Sequence, residues 1–167
     1  RNNIIIHAPS ATGKYYLNHL ARRNTLKKCK NLKFSYISRD YQNKIESNLP
    51  YKWEDPGKYK IVWKRQSKYI NIDKKTDYIS TNEIEILCIL NSHDIDTLNF
   101  MGVHSNGCIL FRRFGILNLQ KNGIRTRLIG TLSDCMWDKR YTVFATTHDE
   151  ANNLILNYIT MNICKVI

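Results

Sequence analysis

The residues best equipped for chemistry lie near the start of the chain. Ala8-Pro9-Ser10-Ala11-Thr12-Gly13-Lys14-Tyr15 follows a β-branched run, Ile4-Ile5-Ile6, and precedes Tyr16, Leu17, Leu20 and Ala21, an apolar face at helical spacing. A strand, a tight turn and a helix in that order suit anion binding, because the turn's amides and the helix N-terminus can surround a phosphate. Gly13 allows close backbone approach, and Lys14 supplies a mobile point charge for terminal phosphates. The spacing is a near-match to G-x-x-x-x-G-K-[ST]. Ala8 replaces the first glycine, and Tyr15 replaces the hydroxyl residue that ligates Mg²⁺. A phenol cannot place its oxygen where a small hydroxyl would sit, and Mg²⁺ demands near-ideal octahedral geometry. Phosphate binding by residues 8–15 is therefore expected, and a working Mg²⁺ site is not.

Other reactive side chains show weaker patterns. Cys29, Cys88, Cys108, Cys135 and Cys164 are odd in number and contain no C-x-x-C, so reduced thiols in an intracellular setting are expected. The five histidines lack H-x-x-x-H spacing, although His93 and His104 could approach one another; no metal ligand is assigned. The net charge of +12 and the pI of 9.6 suit a polyanionic partner such as a nucleotide, a phosphoprotein or RNA. Arg22, Arg23, Lys27, Lys28, Lys30 and Lys33 concentrate that charge after the first helix. The chain is also crowded with Asn, Ile and Tyr, whose codons are AT-rich, so a biased genome is the alternative explanation for part of its basicity.

The elements that must position these residues are read from pattern. The 167 residues are enough for one domain with a real core. No apolar run approaches the ~20 residues of a membrane helix, and a chain starting at Arg1 is expected to be part of a longer protein. Residues 32–38 alternate as a second strand. Residues 40–60 should be loop-rich, and 59–63 and 68–72 read as short strands of a small lobe containing Tyr51, Trp53, Tyr59, Trp63 and Tyr69. Residues 84–90 read as a third, buried strand with Asn91, Ser92 and His93 at its carboxyl end, where open α/β sheets place ligand-contacting groups. A helix is expected over 94–101, a strand over 108–114, a helix over 124–132 and a strand over 141–146. Thr147 and Glu150 form a capping-box pattern. Ala151, Leu154, Ile155, Tyr158 and Ile159 then repeat at helical spacing. Such alternation implies a parallel α/β sheet flanked by helices.

The loop resembles that of the guanylate kinase-like family, whose usual form is G-P-S-G-x-G-K-[ST]. Phe34-Ser35 resembles the start of that family's second strand, Ile61-Val62-Trp63 its I-E-W, Cys88 to His93 its strand ending D-x-D, and residues 124–128 its I-x-x-R-L lid segment. Residues 143–159 resemble its closing strand and helix. The resemblance implies a P-loop NTPase-type single domain over 1–167, with a core of 1–39 and 80–167 and a reduced nucleotide-monophosphate-binding lobe of about 40–79. It implies ATP as donor nucleotide and an acceptor-phosphate pocket of Ser35, Arg39 and Tyr69. In an active member, Lys14 and Arg127 would be catalytic.

Several required parts are altered. The base-reading glutamate falls on Val62, the two acids fall on Asn91 and His93, the Mg²⁺ ligand falls on Tyr15, and Lys44 is the nearest basic residue to a second clamp arginine. Losing hydrogen-bonding groups of this kind removes most discrimination between nucleotides. The sequence therefore points to a degenerate member that binds a phosphorylated ligand, a nucleotide or a protein. An active ATP:GMP phosphotransferase and a basic RNA-binding domain are the alternatives.

Overall fold

The computed structural model describes residues 3–28, 32–50, 64–140 and 144–167. The chain is α/β, with two small parallel sheets flanked by helices. It divides into two units: Arg1–Phe34 with Pro56–Ile95, and Ser35–Asp55 with Asp96–Ile167. These boundaries differ from the expected core of 1–39 and 80–167 and lobe of 40–79.

The first unit is built on β1 (Ile6–His7) and β2 (Tyr78–Ile79), which pair in parallel as Ile6 with Tyr78 and His7 with Ile79. A 3-10 helix, Ser10–Tyr16, follows β1, and α1 (Leu20–Lys28) begins only after it. Thr25 of α1 closes the free edge of β2: its buried hydroxyl accepts from the Ile79 amide at 3.2 Å and lies 2.9 Å from the Ile79 carbonyl oxygen. Backbone groups that would otherwise be buried unpaired are satisfied in this way. Tyr16, Ala21 and Ile79 form the buried cluster, with Ile72 against it.

α2 (Arg39–Asn48) belongs to the second unit, whereas α3 (Glu83–Ser92) completes the first. The expected strand over 84–90 is thus α3. A continuous apolar run does not distinguish a buried strand from a buried helix; here the cap decides, because the Asn82 side chain accepts from the Glu85 amide at 3.0 Å. Residues 32–38 are likewise not a strand. Their amides at Ser35 and Ile37 bond the side chains of Asn122 and Asn118 at 2.9 and 3.0 Å, in place of a ladder. Residues 68–72 form a turn and bend rather than a strand.

In the second unit, β3 (Thr97–Val103), β4 (Arg125–Asp134) and β5 (Lys165–Val166) lie side by side in that order, all parallel. α4 (Cys108–Phe111) and α5 (Ile116–Lys121) link β3 to β4, and α6 (His148–Asn162) links β4 to β5. Four further expectations are corrected here. The helix expected over 94–101 is largely β3, and the strand over 108–114 is α4 and a turn. The helix over 124–132 is β4, where Arg125, Thr126, Arg127 and Leu128 alternate outside and inside with period two. Phe144 to Thr146 are not in a strand, and 141–143 lie outside the described residues. The closing helix forms as expected: the Thr147 hydroxyl accepts from the Glu150 amide, and Glu150 accepts in return from the amide and hydroxyl of Thr146, both at 2.8 Å. Ala151, Ile155 and Ile159 on α6 pack with Leu110, Ile116 and Leu128 in the core. No helix among the described residues is long and apolar enough to cross a membrane.

Candidate functional site

Because β1 and β2 are parallel, the segments that follow them emerge at the same edge. Residues 8–16 and Ser80-Thr81 therefore meet there. A cavity of about 130 Å³ lies between them, lined by Gly13, Lys14, Leu17, Arg22, Ile79, Ser80 and Thr81. This is the carboxyl edge of a parallel sheet, where such sheets place their ligands. Gly13 is required by its neighbour: a Cβ there would lie 2.9 Å from Thr81 Oγ1.

The cavity's charge comes from two cations in different states. Arg22 is fixed. Its guanidinium makes a two-point ion pair with Glu85, with Nη2 to Oε1 at 3.0 Å, and donates to the Ile79 carbonyl at 3.2 Å. Ser80 also donates to Glu85. Burial pushes the Glu85 carboxyl up, but the bonds from Arg22 and Ser80 and the Arg22 charge outweigh it, and the net shift is below the ordinary value. Lys14 is exposed, with its ammonium 5.2 Å from the centre of the Tyr15 ring.

The turn itself differs from an open phosphate cradle. Residues 10–16 follow 3-10 geometry, so the later amides of the segment bond back along it. Thr12 is buried and spends its hydroxyl on the Pro9 carbonyl at 2.6 Å. Ser10 takes φ 55°, and Ala8, Ala11 and Tyr15 are exposed. Gly13 and Lys14 thus face the cavity with side-chain charge and little free backbone donor capacity.

The remaining expected site residues fall in both units. Tyr69 belongs to the first unit and is 86% exposed, with Lys68 beside its ring. Ser35, Arg39, Lys44 and Arg127 belong to the second unit and are exposed; Arg39 opens α2 and Arg127 lies on β4. Val62 lies outside the described residues, as do Tyr51, Trp53, Tyr59 and Trp63. Asn91 and Ser92 end a helix rather than a strand, and His93 Nε2 lies 2.8 Å from the Tyr78 hydroxyl. Sequence reasoning missed Ser80, Thr81 and Glu85. The Asn82-x-x-Glu85 cap was the available signal, since it dates the turn after β2 and brings Glu85 round to Arg22.

The second unit gathers its own reactive groups at the carboxyl edge of β3 and β4. His104, just past β3, hydrogen-bonds the Cys108 thiol, and Arg112 Nη2 lies 3.6 Å from its sulfur. The His104 bond is the largest influence; burial opposes it, Arg112 adds to it, and the thiol is brought down to about 7. Beside this turn, the donor atoms of Asp134, Cys135 and His148 all lie within 4.8 Å of one another. His148 Nε2 is 3.2 Å from Asp134 Oδ1. Burial, followed by the Asp134 charge, pushes the Cys135 thiol up to about 11. No sequence spacing announced this trio, because its third member arrives through a different element. His93 lies in the first unit and His104 in the second.

Compared with protein-family models, curated proteins and solved structures, the chain matches none.

Proposed function

We propose that the first unit binds a phosphate-bearing ligand at the Gly13–Lys14 cavity, as a degenerate guanylate kinase-like module without efficient phosphoryl transfer. The observation that carries this reading is the cavity's place and lining: a glycine, a free lysine, a fixed arginine and two small hydroxyl residues at the carboxyl edge of β1 and β2. Lys14 supplies the net positive charge, since Glu85 neutralises Arg22. Thr81 adds a neutral hydroxyl, whereas the buried Ser80 hydroxyl is spent on Glu85 and the Asn82 backbone. The volume of about 130 Å³ is well below the roughly 300 Å³ at which sites for whole small molecules begin, which favours one phosphate group of a larger ligand as occupant.

Phosphoryl transfer needs more than an anion site. It requires a metal bridging the donor phosphates and groups positioned around the acceptor. Tyr15 takes the place of the metal-binding hydroxyl, and the 3-10 turn leaves few amides to hold a triphosphate.

The test is thermal stabilisation and calorimetry with inorganic phosphate, pyrophosphate, GMP and ATP, each with and without Mg²⁺. Binding that follows phosphate content, ignores Mg²⁺ and falls at least about tenfold in Lys14→Met supports the reading. ADP release above background with ATP and any nucleoside monophosphate would replace it with an active kinase. Binding to RNA alone, weakening steeply with salt, would replace it with the polyanion reading.

A further inference from the structure

We propose that Asp134, Cys135 and His148 form a binding site for a divalent transition metal of the zinc class. The site lies in the second unit and is independent of the phosphate cavity. Its three residues offer an oxygen, a sulfur and a nitrogen donor, all within 4.8 Å of one another. Tetrahedral zinc holds such donors at about 2.0–2.3 Å, so they come to rest roughly 3.5 Å apart. His148 and Asp134 already stand at 3.2 Å. Closing the trio therefore needs side-chain movement on the order of 1 Å.

The donors sit on anchored backbone. Asp134 is the last residue of β4, and His148 is the first of α6. The Cys135 amide donates to Asn152 Oδ1 at 3.1 Å, and Asn152 reaches back to the Ser133 carbonyl. On the other side, Asn106 accepts from the Met136 amide at 2.8 Å and donates to the Met136 carbonyl at 3.0 Å. Trp137 packs edge-on against the His148 ring. Metal sites depend on such outer contacts to orient their ligands.

Ligand chemistry selects the ion. Thiolate and imidazole favour zinc, cobalt or copper over magnesium or calcium. One carboxylate and one thiolate balance a divalent charge, leaving the imidazole neutral. Cys135 is buried, while the side chains of Asp134 and His148 are about half exposed, at 47% and 42%. A metal held from beneath by sulfur and from the side by the other two would keep a solvent-facing fourth position, as open three-ligand sites do.

The experiment titrates the chelator-stripped, reduced full chain with Co²⁺ and follows thiolate-to-cobalt charge-transfer absorption, then displaces the cobalt with Zn²⁺. One equivalent should bind with that absorption. Cys135→Ser should abolish the band. His148→Gln and Asp134→Asn should each weaken binding about tenfold or more, whereas Cys108→Ser and His104→Gln should leave it unchanged. Cys135→Ser alters a buried position, so His148→Gln, at a half-exposed one, decides if the former does not fold. Absence of the band, its persistence in Cys135→Ser, or wild-type affinity in His148→Gln would overturn the proposal.

Discussion

Replacing Glu85 should lower stability and raise anion affinity at once. Its carboxylate and the Arg22 guanidinium are only 14% and 17% exposed. Breaking a fully buried pair from one side costs about 3–5 kcal/mol, and exposed pairs are worth under about 1. This pair is nearer the buried limit, so Glu85→Ala should cost the first unit about 2–3 kcal/mol. In a double-mutant cycle with Arg22→Ala, the coupling should exceed about 1 kcal/mol, because the second deletion removes the charge stranded by the first. The pH dependence has a definite sign. Glu85 titrates below its ordinary 4.5 in the folded chain, so the unfolded chain takes up the proton first as pH falls. The pair's contribution is complete above about pH 4.5 and is lost as pH drops through the folded value. Arg22 lines the cavity, and Glu85→Gln removes the negative charge behind it. A unit charge roughly 8 Å away at an effective dielectric of about 20–40 is worth about 1–2 kcal/mol, so pyrophosphate binding should tighten about fivefold or more. Hydrogen exchange of α1 and α3 in urea reads the stability, and calorimetry reads the binding. An additive cycle, or weaker pyrophosphate binding in Glu85→Gln, would refute the account of Arg22 as a neutralised wall.

Gly13→Ala should destabilise by about 1–3 kcal/mol, because the new methyl meets Thr81 Oγ1 at 2.9 Å and Cγ2 at 3.2 Å. Thr81→Ala, which removes both atoms, should restore most of the loss in urea unfolding. Alkylation of Cys108 should rise with a midpoint near pH 7 and shift upward in His104→Gln, while Cys135, held at about 11, stays unreactive; peptide mass spectrometry across pH reads both. Thr147→Ala should cost about 1 kcal/mol by leaving the Glu150 amide without its acceptor, measured as a loss of α6 exchange protection.

Where local chemistry settled a structure, the sequence showed it. Thr147 and Glu150 cap α6 from four adjacent positions, and Gly13-Lys14 needed only a strand before them and a turn around them. Where burial settled it, pattern reading failed in a regular way. α3 is buried on most sides, so its residues 84–90 carry no helical stripe and read as a strand. β4 occupies the stretch where a helix over 124–132 is expected; only Arg125 to Leu128 alternate cleanly, and four residues are too few to fix the period. The errors at β3 and β4 then hid the second unit's site, since residues 104–108 and 134–135 meet only if both preceding segments are parallel strands.

The register of β3 against β4 explains why that second cluster exists. Phe100 pairs with Leu128, but Gly102 pairs with Ser133, so two steps along β3 correspond to five along β4. The excess of three is odd, and an odd excess exchanges the two faces of a strand. Before the irregularity the buried residues of β4 are Thr126 and Leu128; after it they are Ser133 and, just past the strand's end, Cys135. Without it, an even-numbered Asp134 would turn inward, where an unpaired carboxylate is costly, and Cys135 would face away from α6. With it, the thiol is buried, the carboxylate stays half exposed, and His148 on α6 reaches both. Deleting one residue from 129–132 would make the excess even, so ordinary alternation from Leu128 would itself place Ser133 and Cys135 inward, and the trio should persist with the pairing of residues 125–128 with β3 intact. At the native length, the placement of Asp134 and Cys135 thus rests on the bulge, whose odd excess sets the face each residue takes.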